Sequence, residues 1–162
     1  QSIPGCHFVG GSLGNGVGYA AGYAFASGKN VYTLVGDAEL YEGSVWETLI
    51  FVAHHNINNL RIIIDRNSMG ILGKTEELLK LEPLEDKFAS FGLDVITVDG
   101  HSFDELRDVF SENPTRPQVV IANTIKGKGV SYMEDKWRYQ RRVLDISRYG
   151  RAIFGSVALR TT

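Results

Sequence analysis

The sequence predicts an α/β fold, an open and mostly parallel sheet with helices on both faces. Apolar runs of strand length, Val31 to Asp37, Leu60 to Asn67, Leu93 to Val98 and Gln118 to Thr124, recur along the 162 residues. Segments of helix length separate them, and strand, helix, strand at these lengths implies parallel pairing. The runs also close on polar residues: Asp37, Asn67 and Lys126 all follow strand ends, where ligands gather in such sheets.

Each element has its own justification. Leu13 to about Ser27 is too glycine-rich to be helical by propensity, yet its small residues allow close backbone packing, so a buried helix held by tertiary contacts is expected. Ser44-Val-Trp-Glu47 matches a capping box and opens a helix whose inner stripe is Val45, Leu49, Val52 and Ala53, ending near His55-Asn56. Ser68 to Thr75, with Gly70 and Gly73, is loop-like, and Pro83 interrupts the helix formers between Glu76 and Phe91. Ser102 caps a helix through Glu112. Residues 1–137 form the predicted domain; the segment 138–162 loses clear periodicity and is expected to be a tail that packs on a partner or frays.

Composition narrows the function. The chain is 43% hydrophobic, enough to close one core, and its formal net charge of −2 disfavours nucleic acid and anionic membrane surfaces as partners. A single cysteine, Cys6, excludes an internal disulfide. With no stretch of membrane-span length and no signal-peptide architecture, a reducing cytoplasm is the simplest compartment. The chain opens on Gln1 without methionine and runs straight into a glycine-rich motif, so upstream residues are expected to be missing.

Two strand ends carry the chemistry. In a parallel sheet Asp37 and Asn67 would aim two oxygen ligands at one spot, and with a carbonyl just beyond they suit Mg²⁺, which takes oxygen donors in a tight octahedron and keeps phosphate oxygens among them. Gly10-Gly-Ser-Leu-Gly14 precedes the first helix, where amide hydrogens and the helix dipole favour an anion such as a diphosphate. Each residue taken singly also has a structural role open to it: the glycines a tight turn, Asp37 a helix cap, Asn67 a turn, the Lys126 loop a solvated basic patch.

Gly36-Asp-Ala-Glu-Leu-Tyr-Glu-Gly-Ser-Val-Trp-Glu47, followed by Asp65-Arg-Asn67, resembles the thiamine-diphosphate fingerprint of transketolases. The similarity runs in order through Gly11-Ser-Leu-Gly14, Val98-Asp-Gly-His101 and Lys126-Gly-Lys-Gly-Val130, and so covers most of the chain up to Trp137. It implies that Asp37, Asn67 and the Met69 carbonyl hold Mg²⁺ against the cofactor's diphosphate. It places Gly11, Ser12, Leu13, Gly36, Ala38 and Glu39 along the cofactor, with Lys126 reaching the diphosphate. Glu42 matches a glutamate that in transketolases sits at the subunit interface and links two active sites.

The implied enzyme transfers a two-carbon ketol unit between sugars, with its site completed by a pyrimidine-binding chain or domain in a homo- or hetero-oligomer. Alone, this chain is expected to be inactive. Three departures from the family pattern stand out: Ala38 replaces the second glycine of Gly-Asp-Gly, Arg138 follows Trp137 where the family carries histidine, and these 162 residues include neither the upstream segment that supplies further family histidines nor the pyrimidine-binding domain with its activating glutamate. Two rivals remain. Gly16-Val-Gly-Tyr-Ala-Ala21 formally matches the fingerprint of an NAD-type dinucleotide-binding oxidoreductase, and Arg138 suits a non-catalytic assembly subunit of the same fold.

Overall fold

A computed structural model describes residues 4–111 and 113–139. Four strands form one sheet: β1 (Val31–Gly36), β2 (Leu60–Arg66), β3 (Asp94–Asp99) and β4 (Gln118–Asn123). They pair entirely in parallel in the order β1-β2-β4-β3, so β4 inserts between β2 and β3. The helices are α1 (Asn15–Ser27), α2 (Gly43–His54), α3 (Thr75–Leu78), α4 (Leu84–Ser90) and α5 (Phe103–Ser111), with short 3₁₀ turns at Asp37–Tyr41 and Trp137–Tyr139.

The period-two alternation of side chains along the strands divides the core between two faces. Ile62, Ile64, Val119 and Ile121 face one side, where Val17, Ala21 and Ala24 of α1, Val45, Leu49 and Val52 of α2, and Leu84 and Phe88 of α4 cover them. Val98, Val120 and Ala122 face the other, against Leu106, Val109 and Phe110 of α5. Helices thus lie on both faces, as expected. The cover on the second face is uneven: Tyr32 and Leu34 of β1 remain 52% and 68% exposed.

Helix α1 forms despite its glycines because tertiary packing outweighs propensity. Gly18 brings its backbone close to Thr48 of α2, and Val17, Ala21 and Ala24 are buried. Gly14, just before the helix, is left-handed at φ 77°, and a Cβ there would lie 2.7 Å from the Cβ of Glu42. Only glycine meets both demands at once.

The predicted capping box at Ser44 is not formed. Helix α2 begins at Gly43 with Glu42 as its N-cap, and the Ser44 carbonyl instead accepts the Thr48 hydroxyl at 2.7 Å. The reason lies upstream: the 3₁₀ turn hands its last amides directly to the helix, Glu42 N donating to Glu39 O and Val45 N to Glu42 O. Pro83 breaks the 76–91 segment as predicted, leaving α3 and α4 on either side. Ser102 Oγ accepts from the Glu105 amide at 3.3 Å and so caps α5. Trp137 to Tyr139 of the expected tail boundary form a 3₁₀ turn, and residues 140–162 lie outside the described residues.

Phe88 is fully buried and stacks on Trp46 at 5.3 Å, joining α4 to α2. Phe88→Ala should cost about 3–5 kcal/mol, read by urea denaturation. Gly14→Ala should also destabilise, through its left-handed backbone and its clash with Glu42.

Candidate functional site

The β1–β2 register sets Gly36 opposite Asp65, so Asp37 and Asn67 leave adjacent strands at the same edge. Asp37 is 1% exposed. Its Oδ2 accepts from Arg66 Nη1 at 2.9 Å and from the Ser68 amide at 2.6 Å. Its Oδ1 is buried with no hydrogen-bond partner among the described residues. Burial pushes the carboxyl upward from its ordinary value, against the opposing pull of Arg66 and the Ser68 amide. A bare buried oxygen is costly unless something occupies it, and a cation there would favour the charged form.

Asn67 is oriented by its neighbours. Its Nδ2 donates to Asp65 Oδ2 at 2.9 Å, while its Oδ1 accepts from the Met69 amide at 3.0 Å. The other Asp65 oxygen accepts the Thr124 hydroxyl from the segment after β4. This arrangement determines which end of the amide is oxygen, and it ties the ligand position to the strand beside it. Ser68 takes a left-handed φ of 61°, and Met69, 3% exposed, pairs with Lys74 across the loop. Among the described residues no group of three His, Cys, Asp or Glu side chains could hold a metal. The available donor set is one carboxylate, one amide oxygen and a main-chain carbonyl, all hard oxygens that fit Mg²⁺.

Glu39 has a use that the sequence pattern did not reveal. Its carboxylate accepts from the Gly36 amide and the Gly14 amide, each at 3.0 Å, and so clips the end of β1 to the start of α1. Both oxygens are thereby engaged with main chain, which makes Glu39 a brace beside the glycine turn. The signal was present as a glutamate three residues after the strand-ending glycine, half of a capping box. The clip holds Gly11, Ser12 and Leu13 exposed ahead of α1, with Ser12 Oγ accepting from Asn15 Nδ2 at 3.1 Å. Ala38 keeps its methyl within ordinary contact of Gly70, where a Cβ would lie 3.7 Å away, so the extra carbon meets no clash there.

Lys126 is half-buried in a run of turns after β4, its carbonyl accepting the Asp135 amide at 2.9 Å. Gly127, at φ 73°, faces the Met133 backbone so closely that a Cβ would lie 3.0 Å from it; the basic loop is folded on itself. His101 Nε2 accepts from the Ile125 amide at 2.8 Å and anchors this loop to the turn after β3. Glu42 is exposed at the start of α2, and the Arg138 guanidinium lies 5.5 Å from the Trp137 ring centre. On the α4 side of the strand ends, a cleft of about 290 Å³ is bordered by Glu82, Glu85 and Asp86. Arg66 also lines it, but its guanidinium is committed to Asp37, Thr75, Glu76 and Glu82.

The dinucleotide rival fails on geometry. Gly16 to Ala21 lie inside α1 rather than on a strand-to-helix turn, and no strand precedes α1 among the described residues. Comparison with known proteins agrees. The family described as transketolase, thiamine diphosphate binding domain, matches residues 2–139. The chain belongs to this transketolase family. It is 40% identical over 134 residues to the 6-deoxy-6-sulfo-D-fructose transketolase subunit SqwG of Clostridium sp. (strain MSTE9), covering 78% of this chain and 49% of that protein. It is 37% identical over 150 residues to an apulose-4-phosphate transketolase subunit from Actinobacillus succinogenes, covering 88% of this chain and 54% of that protein. The chain therefore spans about half the length of these curated relatives. Among solved structures, transketolase from Leishmania mexicana superposes with a TM-score of 0.73 at 28% identity, over 83% of this chain and 23% of that one. No helix among the described residues is long and apolar enough to cross a membrane.

Replacing Glu39 by Ala strands two main-chain donors and should cost about 3 kcal/mol of stability, measured by chemical denaturation. Glu39→Gln, which keeps one acceptor, should fall between wild type and the alanine variant. Beside the site, partial burial alone would raise the Glu76 carboxyl, but the Leu81 and Glu82 amides and Arg66 outweigh it and hold it below its ordinary value of 4.5. A depressed carboxyl stabilises the fold above its unfolded value and loses that contribution as pH falls through the folded one. Glu76→Gln should therefore lower the melting temperature at pH 7, and the difference from wild type should shrink as the pH drops below 4.5.

Proposed function

We propose that this chain is the diphosphate-binding part of a transketolase-like enzyme that transfers a two-carbon ketol unit between sugars, and that it holds thiamine diphosphate through Mg²⁺. The observation that carries the reading is the bare, buried Asp37 Oδ1 at the sheet edge that Asn67 also leaves, with the Asn67 amide oriented by Asp65. Asp37, Asn67 and the Met69 carbonyl would hold the ion. Gly11, Ser12, Leu13, Gly36 and Ala38 would line the cofactor, Glu39 would support that lining from behind, and Lys126 would approach the diphosphate.

When bound, thiamine diphosphate supplies a nucleophilic carbon able to carry the ketol unit. The protein's own residues anchor the diphosphate, fix the ion's ligands and keep the glycine turn open. The carboxylates that share Arg66 with Asp37, those of Glu76 and Glu82, are held on its guanidinium, and in this reading the groups that act on the pyrimidine end come from a companion chain or domain. Two relatives named as transketolase subunits support a divided site. Exposed Phe8, Leu13, Tyr19 and Tyr23 around the start of α1 give such a companion an apolar surface, with Glu42 close by. The retained ligand positions weigh against an assembly subunit without chemistry.

Asp37→Ala or Asn67→Ala should abolish Mg²⁺-dependent binding of thiamine diphosphate to the assembled complex. Isothermal calorimetry checks this, and wild-type affinity in both variants would sink the assignment. Transfer of a glycolaldehyde unit should appear only when the companion chain is added; robust turnover by this chain alone would refute the divided site.

A further inference from the structure

Arg66 is a charge that the cofactor motifs leave without a role. It ends β2 with only 7% of its surface exposed, and a buried guanidinium requires both counter-charge and acceptors for five N–H groups. Arg66 has them all. Nε donates to Glu82 at 3.1 Å; Nη1 donates to Asp37 at 2.9 Å and to the Thr75 hydroxyl at 2.8 Å; Nη2 donates to Glu76 at 2.9 Å and to Glu82 at 2.8 Å. With every donor engaged, Arg66 has nothing left to offer a phosphate. Its effect on the site must pass through Asp37.

That effect is geometric. Arg66 and the Ser68 amide both take Oδ2, which prevents the carboxylate from rotating and leaves Oδ1 as the one oxygen presented to the strand ends. Three of the four groups that locate the guanidinium belong to one stretch of chain, Thr75, Glu76 and Glu82 around α3 and the approach to α4. That stretch is itself braced. Glu76 accepts from the Leu81 and Glu82 amides, Glu82 accepts from the Leu84 amide, and the Tyr41 hydroxyl lies 2.9 Å from the Thr75 carbonyl and 2.8 Å from that of Leu79. If the stretch shifts, the guanidinium follows and the hold on Asp37 loosens.

We propose that Arg66 is a positioning residue for the divalent-ion site, and that through its fork the segment from Thr75 to Leu84 sets the affinity for that ion. The inference rests on the metal-binding reading given above. Groups that orient metal ligands from behind cost about 10- to 100-fold in metal affinity when removed. The same fork also separates a positioning role from a merely structural one, because Glu82 is half-exposed and meets the guanidinium that in turn holds Asp37.

The test uses the full-length chain with its companion, Mn²⁺ as the probe in the presence of thiamine diphosphate, and electron paramagnetic resonance to measure both affinity and the spectrum of the bound ion. Thermal unfolding without metal is measured in parallel. Arg66→Met should weaken Mn²⁺ binding about 10- to 100-fold and broaden the bound-ion spectrum. Arg66→Lys should recover part of the loss, since an ammonium can meet Asp37 but cannot also span Glu76 and Glu82. Glu82→Ala should weaken Mn²⁺ several-fold, and because water reaches the half-exposed position its metal-free unfolding temperature should fall less than that of Arg66→Met. Wild-type Mn²⁺ affinity in Arg66→Met and Glu82→Ala would overturn the inference, and if Arg66→Met does not fold, unchanged affinity in Glu82→Ala overturns it alone. Failure of wild type itself to bind Mn²⁺ with thiamine diphosphate is a different result: it removes the metal-binding reading and this inference with it.

Discussion

The parallel pairing of β1 with β2, in the register that sets Gly36 opposite Asp65, is the constraint on which the site depends. It brings a carboxylate and a carboxamide to the same edge of the sheet from distant points in the sequence. A slip of one residue would turn every side chain of one strand to the opposite face and separate the pair. The core opposes such a slip, because it would turn Val35, buried with Ile62 and Ile64, out of the apolar layer. Hydrophobic packing thus determines the position of the polar groups, though it makes no contact with the proposed ligand.

Around that frame, polar groups are arranged in tiers. Asp65 orients Asn67 and is itself engaged by Thr124, so β4 contributes to the placement of a ligand on β2. Glu39 joins two elements through main-chain amides alone. Arg66 remains charged because its carboxylates outweigh the penalty of its burial, and that burial is tolerable only because every donor is satisfied. In each case a side chain is locked by its neighbours before any ligand arrives, which lowers the reorganisation required on binding.

Much of this was legible in the sequence, and the reasons differ by residue. The strands were plain because each reads as a nearly continuous apolar run, as strands with helices on both faces do, even though the cover over β1 is thin. Asp37 and Asn67 could be singled out because each closes such a run. Arg66 could not: a charged residue at the end of a strand looks solvent-exposed in sequence, and its partners lie between nine and 29 residues away. The start of α2 was misplaced because a local Ser-x-x-Glu pattern cannot report that a 3₁₀ turn has already supplied the first carbonyls. The dinucleotide-like glycines were misleading for a related reason, since the motif has meaning only on a turn and here the glycines serve helix packing.

The thin cover over β1 has a practical consequence. As an outer strand of the described sheet, β1 has one backbone edge without a sheet partner, and Tyr32 and Leu34 add apolar surface beside it. Such an edge is a template for unwanted association. Produced by itself, the described domain exposes this edge and is liable to precipitate or form ill-defined aggregates, so its solubility becomes a sensitive indicator of whether the edge has been covered.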